Sequence, residues 1–229
     1  MKPVFLLLLV LFTECVMAQQ PAQTVNAAYK NFKRLKDYSA NVKMDFDIPS
    51  VRIKSIEGKV YFKQPNRFRV KTNGIIFLPN QNPYYALGFL ADSSAYTAVA
   101  TGTEKIGTAD CKIITVIPLK EGEVVLCKLW IDEARSLILR TQLTTRTDGT
   151  IQMDNTFSPT AVYPTPDKIL FTVDMTKFKV PKAIAVDINS KTTSGSYNQK
   201  STGHITLSFT DYKINQNLSN SVFEEDKQQ

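Results

Sequence analysis

The stretch Gly58-Lys59-Val60-Tyr61-Phe62-Lys63-Gln64-Pro65-Asn66-Arg67-Phe68-Arg69-Val70 decides how the rest of the chain is read. Val60 and Phe62 alternate with Tyr61 and Lys63, Pro65-Asn66 interrupts, and Phe68 and Val70 then alternate with Arg67 and Arg69. Side chains alternate faces along a strand, so two period-2 runs around a break predict a β-hairpin. Pro65 has no N–H to give a ladder and suits the turn.

Upstream, Tyr38, Ala40, Val42, Met44, Phe46 and Ile48 occupy every second position, with Asn41, Lys43, Asp45 and Asp47 between them. That alternation predicts a strand with one buried and one wet face. Pro49-Ser50 turns it and Val51 and Ile53 open another, so four strands in succession are expected, an antiparallel meander. Before it, Val25, Ala28, Tyr29, Phe32 and Leu35 recur three and four apart, predicting an amphipathic helix over Gln23–Asp37 whose other faces carry Lys30, Lys33, Arg34 and Lys36. Thr24 and Asn26 are candidate caps.

Downstream, Asn82-Pro83 is an N-cap and N1 pair for a short helix through Tyr84, Tyr85, Leu87, Phe89 and Leu90. The segment is aromatic and nearly uncharged, which suits a core helix or a lid over an apolar cavity. Ala95–Ala100 reads as strand or helix. Strands resume at Lys112–Ile117, Glu123–Ile131 and Ile138–Thr141, and Asp148-Gly149 predicts a two-residue hairpin. Ile169, Phe171, Val173 and Met175 alternate, as do Ile205, Leu207 and Phe209, while Thr192–Lys200 is a Ser, Gly and Asn-rich excursion.

The N-terminus reads as an export signal: Lys2, an apolar run from Val4 to Phe12, and Val16-Met17-Ala18 with small residues at the cleavage positions, with lipid modification at Cys15 as the alternative that Glu14 disfavours. Removing 18 residues from 229 leaves 211, the length of one domain over 19–229. Lys2 and Glu14 leave together, so the net charge stays +7. The basic residues are spread along the chain without a nucleic-acid motif, which fits a solvated surface first and anionic lipid second, and excludes nucleic acid as an expected partner. Cys111 and Cys127 bracket a predicted hairpin in a compartment that permits disulfides. They read equally as a cross-strand bridge or as two small buried residues.

Catalytic chemistry is thinly supplied. The chain has a single histidine, His204, no Gly-rich phosphate loop and no G-x-S-x-G elbow. Asp45 and Asp47 share a strand face as solvated charges, and no metal or other cofactor is expected. What abounds is apolar alternation, which predicts a mainly β (α+β) fold. A curved antiparallel sheet of about ten strands forms a half-open barrel with covering helices. Alternation places Val42, Met44, Phe46, Val60, Phe62, Phe68, Leu139, Phe171, Leu207 and Phe209 on its concave face, as an ordinary filled core or as the lining of a hollow. Tyr84, Tyr85, Leu87, Phe89 and Leu90 are then a core helix or its lid, and periodicity does not separate the two.

The string Gly58-x-Val60-Tyr61-Phe62-Lys63-x-Pro65-Asn66-x-Phe68 resembles the signature hairpin of the LolA-like family of periplasmic outer-membrane lipoprotein carriers. Leu129-Trp130-Ile131-Asp132 with its following Arg-containing strand, and Tyr212-x-x-Asn215 followed by Phe223, are similar to that family too. The resemblance is intermittent from about residue 25 to 223. It implies a monomeric periplasmic, non-enzymatic carrier or chaperone that takes acyl chains of lipoproteins or other lipids into an apolar cavity for transfer toward the outer membrane. Inner- or outer-membrane sorting components are then further partners. In that family an Arg before the hairpin Pro holds the lid; here the position is Gln64, with Arg67 and Arg69 as nearby substitutes. A LolA-like sheet can instead be an envelope sensor for lipid or mislocalised lipoprotein. Sensors of that type carry a second domain or an anchor, and neither is expected after residue 223.

Overall fold

The computed structural model describes residues 21–49, 53–65, 67–72, 85–147, 149–174 and 202–224, the side chains of 85–87 excepted. The signal peptide, Asn82, Pro83, Tyr84 and Thr192–Lys200 lie outside the described residues.

Residues 21–33 form helix α1, which buries Val25, Ala28, Phe32 and the following Leu35 and leaves Lys30, Lys33, Arg34 and Lys36 exposed. The helix ends earlier than the predicted Asp37. Its last turn tightens through Arg34 N–H to Asn31 and Leu35 N–H to Phe32, and the chain enters β1 at Asp37.

Ten strands follow: β1 (Asp37–Asp47), β2 (Ile56–Lys63), β3 (Arg67–Thr72), β4 (Tyr96–Ile106), β5 (Ala109–Pro118), β6 (Val124–Asp132), β7 (Leu137–Thr145), β8 (Gly149–Thr156), β9 (Lys168–Asp174) and β10 (Thr202–Ile214). They form one sheet in the order β3-β2-β1-β10-β9-β8-β7-β6-β5-β4, with every pair antiparallel. Because β10 returns to pair with β1, the sheet is a long meander whose edges are β3 and β4, curved but not closed. Extra residues break the register between β1 and β10, between β4 and β5, and twice between β6 and β7. Such bulges bend and twist a strand, which is what curling a wide sheet requires.

The opening stretch is the β2–β3 hairpin. Val60 faces Val70 and Phe62 faces Phe68 on the inner side, while Tyr61 opposes Arg69 and Lys63 opposes Arg67 on the outer side. Three strands rather than four precede residue 73, since Ile53 lies in a loop and β2 starts at Ile56. Of Ala95–Ala100, Ala95 ends a 3-10 turn and Tyr96–Ala100 open β4. Of the expected Asp148-Gly149 turn, Asp148 lies outside the described residues, and Gly149, at a positive φ of 74°, already pairs with Thr145 as the first residue of β8. The predicted helix at 83–90 is a 3-10 turn over Tyr85–Ala91, followed by a second over Ser93–Ala95. On the outer face Trp130 donates to Glu104 at 2.6 Å, and Arg140 bonds both Glu104 at 3.0 Å and Asp154, tying β4, β6, β7 and β8 together.

Cys111 and Cys127 are free thiols, so the cross-strand bridge is corrected. Cys111 opposes Asp132 and Cys127 opposes Val116, which puts them five rungs, about 17 Å, apart along the strands. They also lie on opposite faces, Cys111 with Trp130 and Cys127 with Leu129 and Ile131. A bridge needs Cα atoms within about 7 Å.

Two outcomes follow from these contacts. A Cβ on Gly58 would sit 2.6 Å from the Lys71 carbonyl oxygen across the hairpin. Gly58→Ala is expected to cost about 1–3 kcal/mol, read from urea unfolding; an unchanged midpoint would contradict the packing. Burial pushes the Cys127 thiol up to about 12, and burial, then Asp132, pushes Cys111 up. Thiolate is the reactive form, so iodoacetamide at pH 8 should label neither in the native protein and both after unfolding. A peptide linking Cys111 to Cys127 in a non-reducing digest would refute the free thiols.

Candidate functional site

The inner face of the sheet carries two apolar clusters. One gathers Val42, Met44, Val60, Phe62, Met153, Phe171, Leu207 and Phe209 from β1, β2 and β8–β10. The other gathers Tyr96, Ile114, Val116, Cys127, Leu129, Ile131 and Leu143 from β4–β7. Helix α1 lies across both. Phe32 and Leu35 belong to the first, Val25 and Ala28 to the second, and Tyr29 packs against each. Its seat is aromatic: Phe32 lies 5.7 Å from Phe62, which lies 5.4 Å from Tyr38, itself 5.4 Å from Tyr212 in an edge-on contact.

The helix is fastened at both ends. Thr24 Oγ1 donates to Glu133 at 2.6 Å, and Asn31 Nδ2 donates to the Arg135 and Ser136 carbonyls, all in the β6–β7 turn. At the other end Asn215 accepts from Lys36 N–H at 2.8 Å and donates to the Arg34 carbonyl at 3.1 Å. Gln64 adds its backbone N–H to the Lys36 carbonyl at 2.8 Å and its Nε2 to the Leu35 carbonyl at 3.2 Å.

The 3-10 segment is held differently. Among the described residues no hydrogen bond ties Gly88–Ala91 to the sheet. Leu90 is buried in the β4–β7 cluster, and half-buried Phe89 meets the Tyr96 ring edge-on at 6.2 Å. Each such side chain contributes about 1.5–3 kcal/mol by burial. Asp92 caps the next turn by accepting from Ser94 N–H and Oγ, which holds its carboxyl below the usual range.

Several spaces adjoin these elements, among them one of about 220 Å³ between the start of α1 and the β6–β7 turn. A hollow of about 390 Å³ opens between the 3-10 segment and the β5–β6 loop, lined by Phe89, Ala95, Pro118 and Val124 with Lys120 and Glu123 at its rim. It falls in the roughly 300–1,000 Å³ range of ligand pockets. Under α1 a cavity of only about 60 Å³ remains among Ala28, Phe32, Leu137, Ile138, Met153 and Ile169.

Of the expected lining residues, Val42, Met44, Val60, Phe62, Phe171, Leu207 and Phe209 are buried in the first cluster, and half-buried Phe46 and Phe68 pack against it. Leu139 departs from the expectation. Trp130 pairs with Arg140 and Ile131 with Ile138, so Leu139 is the extra residue of a bulge and packs with Cys111, Trp130 and Leu137 in a third cluster. Of the expected lid, Phe89 and Leu90 lie over the second cluster; Tyr84 and the side chains of Tyr85 and Leu87 are outside the described residues. The latch candidates reach other elements. Gln64 holds α1, Arg69 Nη1 donates to the Val222 carbonyl at 3.2 Å, and Arg67 is exposed at the outer face. His204 also faces outward, its Nδ1 3.3 Å from Thr172 Oγ1.

Tyr96 passed unnoticed in the sequence. It is 5% exposed, and its hydroxyl is the one buried side-chain N or O without a hydrogen-bond partner among the described residues. An orphaned hydroxyl costs about 1–3 kcal/mol. Burial, and then the charge of Asp92, push its pKa up, so it stays a donor.

No family model matches the chain and no curated protein sequence does. Solved structures are similar to it. A protein domain named for outer membrane lipoprotein sorting, from Vibrio parahaemolyticus, superposes with a TM-score of 0.60 at 12% identity, covering 90% of this chain and 97% of that one. A LolA superfamily protein from Nitrosomonas europaea gives 0.56 at 10% identity, over 90% and 97%. A DUF1329 family protein from Desulfovibrio piger gives 0.51 at 13%, over 87% and 97%. At such identities the likeness is one of architecture: this chain has the LolA-like fold, a half-open ten-stranded antiparallel barrel around a covering helix.

Proposed function

We propose that the protein is an exported, non-enzymatic carrier or chaperone that holds the acyl chains of lipoproteins or other lipids in the interior of the half-barrel. The observation that carries this reading is the contrast between the two covers. Helix α1 is fastened at both ends by polar bonds, whereas Phe89 and Leu90 meet the inner face through apolar contact alone. Apolar contact is non-directional, so an alkyl chain substitutes for it without leaving a polar group unmet. A methylene is worth about 0.8 kcal/mol on burial, so a sixteen-carbon chain brings on the order of 12 kcal/mol before costs. Displacing two side chains offsets part of that, which leaves binding reversible.

Supporting this are the LolA-like fold and the lipoprotein-sorting name of one structure similar to it. Residues 1–18 then serve as a signal peptide cleaved after Ala18, delivering a single domain, 19–229, to the periplasm. Membrane sorting components are the natural further partners. His204, Asp45 and Asp47 have no part in the function on this reading.

Native mass spectrometry of freshly purified protein should show bound lipid, and the protein should take up a fluorescent fatty acid. Phe89→Glu places a charge in the wall of the hollow at a half-exposed site and is expected to lower that affinity at least tenfold with the unfolding midpoint little changed. A wild-type protein with no bound lipid and no probe uptake would make the interior an ordinary filled core and end the carrier reading.

A further inference from the structure

We propose that Tyr96 is the polar anchor of the hollow, its hydroxyl donating to the carbonyl oxygen of a fatty acyl group whose alkyl chain lies in the interior. This deepens the carrier reading and rests on it. Tyr96 opens the edge strand β4 and pairs with Pro118. Its chain neighbour Ala95, its rung partner Pro118 and its ring partner Phe89 all line the 390 Å³ hollow. Tyr96 thus stands just behind the wall of this hollow, and Phe89, which meets its ring, is part of the seal.

Leu90, Ile114, Val116, Cys127 and Leu143 share its apolar cluster, and the Asp92 carboxylate, whose charge reaches the Tyr96 hydroxyl, accepts from Ser94 instead. Nothing there accepts its proton, and in the unliganded protein the hydroxyl only destabilises. Phenylalanine would fill the same volume without that cost. A donor kept without an acceptor points to an acceptor brought by a ligand, and an acyl carbonyl is an acceptor with no competing proton. Movement of Phe89 with the cover opens the path to it. The alkyl tail then runs along the inner face under α1, and the head group stays at the rim with Lys120 and Glu123. A site built around a buried donor discriminates against the analogue that leaves it unmet. The protein should therefore separate acyl chains from alkyl chains of equal length.

The test uses two ligands that differ only in the carbonyl, monopalmitoylglycerol and its ether analogue hexadecylglycerol, each displacing anilinonaphthalenesulfonate from the full protein. Wild type is expected to prefer the ester by about tenfold, the worth of one hydrogen bond. Tyr96→Phe should abolish the preference by weakening the ester alone, and should unfold at the same or a higher temperature than wild type. If both proteins bind ester and ether alike, or if Tyr96→Phe lowers the melting temperature by several degrees, the anchor is refuted while the carrier reading stands. If neither ligand displaces the dye from wild type, the carrier reading fails and the anchor with it.

Discussion

Among the described residues one helix of thirteen residues lies against a sheet of ten strands, and this mismatch in area governs how they pack. Ten strands at about 4.8 Å spacing make an arc on the order of 43 Å, whereas a helix with its side chains is about 10 Å wide and this one about 20 Å long. Curling reduces the area to be covered, and the four register breaks supply the curl. Even so, α1 reaches only the middle of the inner face, where it joins the two clusters through Tyr29. The remaining apolar surface near β4 and β5 is met by Phe89 and Leu90.

The two covers differ in kind because their bonds differ in kind. Polar bonds at both ends of α1 are directional, and breaking them leaves carbonyls and N–H groups to be resatisfied. The aromatic seat beneath Phe32 adds shape to that hold. The 3-10 segment offers apolar burial of a few kcal/mol, the same kind of interaction by which an alkyl chain binds. A fixed strut beside an exchangeable plug is a workable arrangement for reversible uptake. Gln64 belongs to the strut, since its side chain secures the C-terminal end of α1.

Strand alternation made most of the sheet legible from the sequence, since the inner residues of β1, β2 and β9, and of β10 as far as Phe209, keep period 2 and one slip would expose the whole set. The β2–β3 hairpin followed from Val60, Phe62, Phe68 and Val70 alone. Leu139 was misread because alternation carries no mark where a bulge adds a residue, and the count from Leu143 is broken by that one insertion. The cysteines misled for a related reason. Spacing placed them on adjacent strands but not on a rung or a face, and register decided both. A short helical segment near Tyr85–Ala91 was legible from its Pro-led apolar run, whereas its 3-10 form depends on tertiary contacts that propensity does not hold. Tyr96 gave no signal, because an unmet hydroxyl is defined only by what surrounds it.

An exchangeable interior is tested most directly by where a lipid chain lies. Stearic acid carrying a nitroxide near its methyl end, added to protein labelled at isoleucine, leucine and valine methyls, broadens the signals within its reach. Because the inner and outer faces share the same strands, methyls separate them where backbone amides would not. The account predicts selective broadening of Leu90, Ile114, Leu129 and Leu143, inner residues of the β4–β7 cluster, with Ile113 and Leu139 of the outer cluster spared. Broadening confined to the outer cluster, or none at all at saturating fatty acid, would contradict it.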